Sequence, residues 1–68
     1  MQISARNQLP GRVTSLRMGN VMAEVTIDIG GGKLLTAAIT RGSCEALGLK
    51  EGDPVTAIIK STEIIVGK

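Results

Sequence analysis

Two short polar runs, Ser4-Ala5-Arg6-Asn7 and Lys60-Ser61-Thr62, lie near opposite ends of the 68-residue chain. Between them they carry one guanidinium, one ammonium and several hydroxyls, and a bend at Lys60-Ser61-Thr62 would free backbone N–H groups as well. All of these groups can donate hydrogen bonds, and both charges are positive. A fully deprotonated tetrahedral dianion, an acceptor on every oxygen, is the ligand that such a set suits. If the first run is extended, Ser4 and Arg6 share one face, with Ala5 and Asn7 on the other. By spacing alone, most such tripeptides are ordinary surface and turn residues.

Little else in the chain points to chemistry. There is no histidine, so no Ser or Cys has an imidazole base and the usual zinc clusters are absent. The carboxylates Glu24, Asp28, Glu45, Glu51, Asp53 and Glu63 are spread singly. Gly30-Gly31-Gly32-Lys33 lacks the spacing and the following Ser or Thr of a phosphate loop and reads as a hairpin. The sequence therefore predicts a binding protein, not an enzyme, with no cofactor and no metal held directly by protein ligands.

The elements that must position the two runs are short and β-rich. Val21, Ala23, Val25, Ile27 and Ile29 alternate with Glu24, Thr26 and Asp28, the period of a half-buried strand. The triple glycine turns the chain into a returning strand over Lys33–Ile39, with Leu35, Ala37 and Ile39 facing the core. Upstream, Leu9–Met18 forms the first strand, with Gly11 as a candidate bulge and Gly19-Asn20 as a turn. Thr40, or alternatively Ser43, caps a single short helix over Arg41–Leu47, and Gly48 stands where a left-handed residue would end it. Pro54 can open a strand over Val55–Lys60, and Glu63–Val66 completes the series. The order matches an all-β, five-stranded Greek-key barrel of the OB type, with its helix between the third and fourth strands.

Size limits what one such chain achieves alone. A domain this small buries only about 60% of its unfolded surface. Here there is no Phe, Tyr or Trp to enlarge the core and one cysteine, Cys44, which has no intrachain partner. Oligomerisation is the remaining source of burial. Ala57-Ile58-Ile59 and Ile64-Ile65-Val66 are apolar on both faces, which places one face of each against another subunit. The net charge of +2 is dispersed, and no apolar run is long enough to span a membrane. Neither nucleic acid nor membrane is an expected partner. The opening residues turn polar at once, unlike a secretory leader, and a lone thiol suits a reducing cytoplasm.

Met1-Gln2-Ile3-Ser4-Ala5-Arg6-Asn7-Gln8-Leu9 resembles the opening of the molbindins, the small cytoplasmic molybdate- and tungstate-binding (Mop) proteins. The resemblance continues through Gly11-Arg12-Val13, Gly19–Val25, Leu47–Gly52 and Ala57–Glu63, and so covers a single Mop domain over residues 1–68. It implies a homo-oligomer, a hexamer built as a trimer of dimers, holding molybdate or tungstate between subunits. Carried over, it makes Arg6 and Lys60 the charged donors, Ser4 and Ser61 hydroxyl donors, and Ala5 and Ser61 amide donors. It further implies that Arg6 and Lys60 of one site come from different chains. Asn7 and Thr62 are further candidate contacts. A second site type has a looser match, to Gly19, Asn20, Val21 and Met22. The implied role is storage and homeostasis of molybdenum or tungsten in the cytoplasm. The alternatives are a small OB-type nucleic-acid-binding or regulatory barrel, which the lack of aromatic stacking platforms disfavours, and a purely structural oligomer.

Overall fold

Alternation of side chains dictates the strands, and a computed structural model describing residues 1–68 shows where they pair. The elements are β1 (Asn7–Met18), β2 (Met22–Gly30), β3 (Lys33–Thr40), α1 (Arg41–Leu47) and β4 (Pro54–Ile59), followed by a 3-10 turn over Ser61–Glu63. All neighbouring strands are antiparallel, in the order β3-β2-β1-β4. The structure is thus mostly β with one short helix between β3 and β4.

Two features differ from the sequence expectation. The sheet has four strands and is open, with β3 and β4 as its edges. Glu63–Val66 is not a strand in this chain, because Glu63 closes the 3-10 turn and Ile64–Val66 runs on unpaired. Its apolar run is real, but a strand also needs an edge to bond to, and here the tail stays unpaired and exposed. The second difference is the bulge, which falls between Val13 and Ser15 instead of at Gly11. Thr14 is the extra residue, and beyond it the alternation changes phase. Val13 faces Ile27 on the inside, whereas further on Leu16 faces Val25 and Met18 faces Ala23. Gly11 instead marks a close approach of backbones. A Cβ there would lie 2.5 Å from the Asp28 carbonyl oxygen and 2.7 Å from Ile27 Cγ2.

The core is as thin as the composition implies. Only Val13, Ala23, Val25, Ile27 and Cys44 are buried, so most apolar side chains remain partly open to water. Val13, Val25 and Ile27 form the centre, backed by Leu16, Ile29, Ala37, Ile39, Leu49, Val55 and Ala57. The Cys44 thiol, on the inner side of α1, lies 3.8 Å from Met18 Sδ. α1 is capped as the sequence predicts. The Ser43 amide donates to Thr40 Oγ1 at 3.0 Å, and Gly48 adopts φ 62° and ψ 36° at the far end. The connector to β4 is stitched to the bulge by Val13 N–H to Asp53 O at 3.0 Å and Gly52 N–H to Val13 O at 2.7 Å.

Candidate functional site

Antiparallel pairing of β1 with β4 decides where the two polar runs meet. The register starts at Asn7 opposite Ile59, the first residue of β1 against the last of β4. Ser4–Arg6 therefore enters the sheet at the point where Lys60–Thr62 leaves it. Residues more than fifty positions apart in sequence become neighbours within one chain. Asn7 ties them together, since its Nδ2 donates to the Ile59 carbonyl at 3.3 Å and to Ser61 Oγ at 3.4 Å. On the other side, Gln8 Nε2 donates to the Ala5 carbonyl at 2.7 Å and holds the incoming run in a bend.

The donors at this end are largely uncommitted. Neither Arg6 nor Lys60 takes part in an ion pair; the ion pairs in the chain are Arg17–Glu24 and Arg41–Glu45. Ser61 and Thr62 begin the 3-10 turn, so their amides have no acceptor within it. Ala5 and Asn7 are half-buried, while Ser4, Arg6, Lys60, Ser61 and Thr62 are exposed. Glu63 ends the same turn and is the one carboxylate in these segments. Two residues that the sequence left in the background matter here. Asn7 aims Ser61, and Gln8 shapes the run before β1. The register of β1 on β4 would have pointed to both.

The second candidate set, Gly19-Asn20-Val21-Met22, lies at the other end of β1 and is not brought near the first. Some of its backbone groups are already engaged. The Gly19 amide donates to Met22 O at 2.8 Å, and Val21 O accepts from the Arg41 amide at 2.8 Å. Arg41, a residue that the sequence reading did not single out, donates through Nη1 to Gly19 O at 3.2 Å and through Nε to Glu45 Oε1 at 2.7 Å. Val21 and Met22 are exposed.

Neither end forms an enclosed anion pocket in the single chain. A trough of about 930 Å³ runs along the inner face between β3 and β4. Its walls include Val25, Ile27, Ala37, Ile39, Val55 and Ala57, with no Lys or Arg among the lining residues. No three His, Cys, Asp or Glu side chains gather in a metal-binding group. No helix is long and apolar enough to cross a membrane.

Comparison with known proteins fits this arrangement. The model of the TOBE domain family matches residues 3–66. Molybdenum-pterin-binding protein 1 of Clostridium pasteurianum is 50% identical over 66 residues, which is 97% of each chain. Among solved structures, a molybdate-binding protein from Sporomusa ovata superposes with a TM-score of 0.94 at 46% identity, covering 100% of both chains. The cytoplasmic molybdate-binding protein ModG, solved with molybdate bound, matches 90% of this chain and 43% of its own, with a TM-score of 0.85 at 41% identity.

Proposed function

The chain belongs to the TOBE domain family, alongside the small molybdenum-pterin-binding proteins, and on that premise we propose that it binds and stores molybdate or tungstate. The observation that carries the reading is the meeting of the two polar runs at the Asn7–Ile59 end of the β1–β4 pair. There two unpaired cations flank hydroxyl and amide donors that Asn7 holds in place.

In this reading Arg6 and Lys60 supply the charge, Ser4 and Ser61 the hydroxyls, and Ala5 and Ser61 the amides. Asn7 and Thr62 complete the surroundings. The metal arrives as its oxyanion and is bound through oxygen, so no protein atom coordinates it and no bond in the ion is broken. No cofactor takes part. Each charge-assisted hydrogen bond contributes about 1.5–3 kcal/mol net. A few of them, less the cost of stripping water from the dianion, reach micromolar affinity, about 8 kcal/mol.

The single domain over residues 1–68 acts as a homo-oligomer, a hexamer assembled as a trimer of dimers, in the cytoplasm. In the assembled form the segment around Glu63–Val66 becomes the fifth strand and the barrel closes. The open trough and the exposed donors of the isolated chain support this, because both look unfinished on their own. Gly19–Met22 is the weaker candidate for a further site, since its Gly19 amide already donates to Met22 O.

Size separates the ligand from sulfate, because longer metal–oxygen bonds fit a pocket cut for them. Equilibrium dialysis against molybdate with sulfate in excess tests the reading. Retention of molybdate is expected, and full displacement at modest excess would sink it. Elemental analysis of the purified protein for molybdenum and tungsten is the companion measurement.

A further inference from the structure

The Met18 end of β1 holds two sulfurs that oxyanion binding leaves unused. Cys44 is a free thiol on the inner side of α1, and its Sγ donates to Met18 Sδ at 3.8 Å. The thiol is 2% exposed, whereas Met18 is 44% exposed. One sulfur is sealed inside the fold, and the other reaches from it to water. They come from different elements, each placed by its own backbone device. The bulge between Val13 and Ser15 sets the phase that puts Met18 opposite buried Ala23. Thr40 and Gly48 fix the two ends of α1, which carries Cys44.

We propose that Met18 Sδ and Cys44 Sγ together form a binding site for a soft monovalent cation, Cu(I). Such a site uses none of the oxyanion donors and stands or falls without them.

The donor types choose the metal. A thiolate and a thioether are soft, polarisable ligands, and they select Cu(I) over ions that prefer nitrogen or oxygen. No three His, Cys, Asp or Glu side chains gather anywhere in the chain, so the closed four-ligand set of a structural zinc is lacking.

Charge sets the valence. The Cys44 proton lies between the two sulfurs, and a monovalent ion takes its place with no change in net charge. The Cys44 thiol and Cu(I) give a Cu(I)–thiolate with Met18 as second ligand, and one proton leaves to water; no electron is transferred. A divalent ion would leave a positive charge beside Ala23, which is 1% exposed, and burying an unpaired charge is costly. The carboxylates that could offset it are already engaged. Arg17 and Glu24 pair beside Met18 at 4.0 Å, and Arg41 and Glu45 pair on α1 at 2.7 Å.

The sulfur separation suits such an ion. Two bonds of about 2.3 Å, the usual metal–thiolate length, meet at about 110° when they span 3.8 Å. That bend leaves a third position on the exposed side of Met18, where water or a small thiol completes the shell. An unbranched, flexible side chain lets Met18 adjust to the ion without a shift of β1. The same freedom supplies a route in: the ion meets the exposed thioether first and is passed to the sealed thiol.

The test loads the reduced full chain with Cu(I) under nitrogen, desalts it and counts copper by elemental analysis. One copper per chain is expected, with one proton released per ion in weakly buffered solution. Zn(II) treated in the same way should wash out. Met18→Leu keeps the apolar bulk of a half-exposed side chain, and circular dichroism checks that it is folded. It should weaken Cu(I) binding in competition with bicinchoninate by about 10-fold or more, the loss that even an outer-shell partner brings. Met22→Leu, at another exposed methionine, should leave that affinity unchanged. Copper lost on desalting, no proton released, Zn(II) held as firmly as Cu(I), or folded Met18→Leu binding as tightly as wild type overturns the site. So does one copper per two chains, which would place the ion between Cys44 thiolates of two copies.

Discussion

The two ends of β1 use similar chemical groups for opposite purposes. At the Met18 end, Arg41 bonds to Gly19 O and to Glu45, Thr40 caps α1, and the turn amide of Gly19 is satisfied by Met22 O. At the Asn7 end, Arg6 and Lys60 have no carboxylate partner, the Thr62 hydroxyl is exposed, and the Ser61 hydroxyl accepts from Asn7 with its own proton still to give. A cation whose hydrogen bonds go to protein acceptors holds a fold together. One whose donors are left over is available to a ligand. The difference separates stability from binding along a single strand.

That separation is sharpest for Arg6→Ala. It should weaken molybdate binding by about 10- to 100-fold, the loss of one charge-assisted bond of roughly 1.5–3 kcal/mol, while the thermal midpoint and the oligomer persist. Unchanged affinity in calorimetry would remove Arg6 from the site. The mirror experiment is Thr40→Ala at the other end. It should lower stability by about 1 kcal/mol through loss of the helix cap, with a midpoint several degrees lower and anion affinity unaltered. Smaller still is Arg41→Gln, at about 0.5 kcal/mol of stability, given an exposed ion pair and one long carbonyl bond. The number of anions bound per oligomer should not change. A lower number by elemental analysis would break the comparison and make Gly19–Met22 a working site. The smallest effect belongs to Glu63→Gln, which removes the one carboxylate in the donor turn. Molybdate affinity should rise by about two-fold, roughly 0.4 kcal/mol, and a fall in isothermal titration would assign Glu63 a structural part in the turn.

How much of this was legible depended on whether the cause was local. Thr40, Gly48 and the triple glycine act within a few residues, and the helix and the β2–β3 hairpin lie where those residues predict. The two polar runs were visible as donors, but their meeting follows from the β1–β4 register, which no short window contains. The bulge was misplaced for the same reason. Gly11 looked like a bulge residue, but it is glycine because the Asp28 carbonyl comes too close for a Cβ. The fifth strand was expected from a sound apolar pattern. What the pattern lacks is any indication of which chain supplies the edge it needs.

Thr14 has an exposed side chain and sits at the one point where β1 gains a residue relative to β2. Apart from one long hydrogen bond from its Oγ1 to Thr26 O at 3.3 Å, its identity is therefore nearly free, whereas its existence is not. Removing it would turn Leu16 out of the core and Met18 away from Cys44 and bring Arg17 in, a frame error written in three dimensions. In a set of aligned descendants this column would vary widely in letter and almost never hold a gap. A scale that scores importance by residue identity would pass over it.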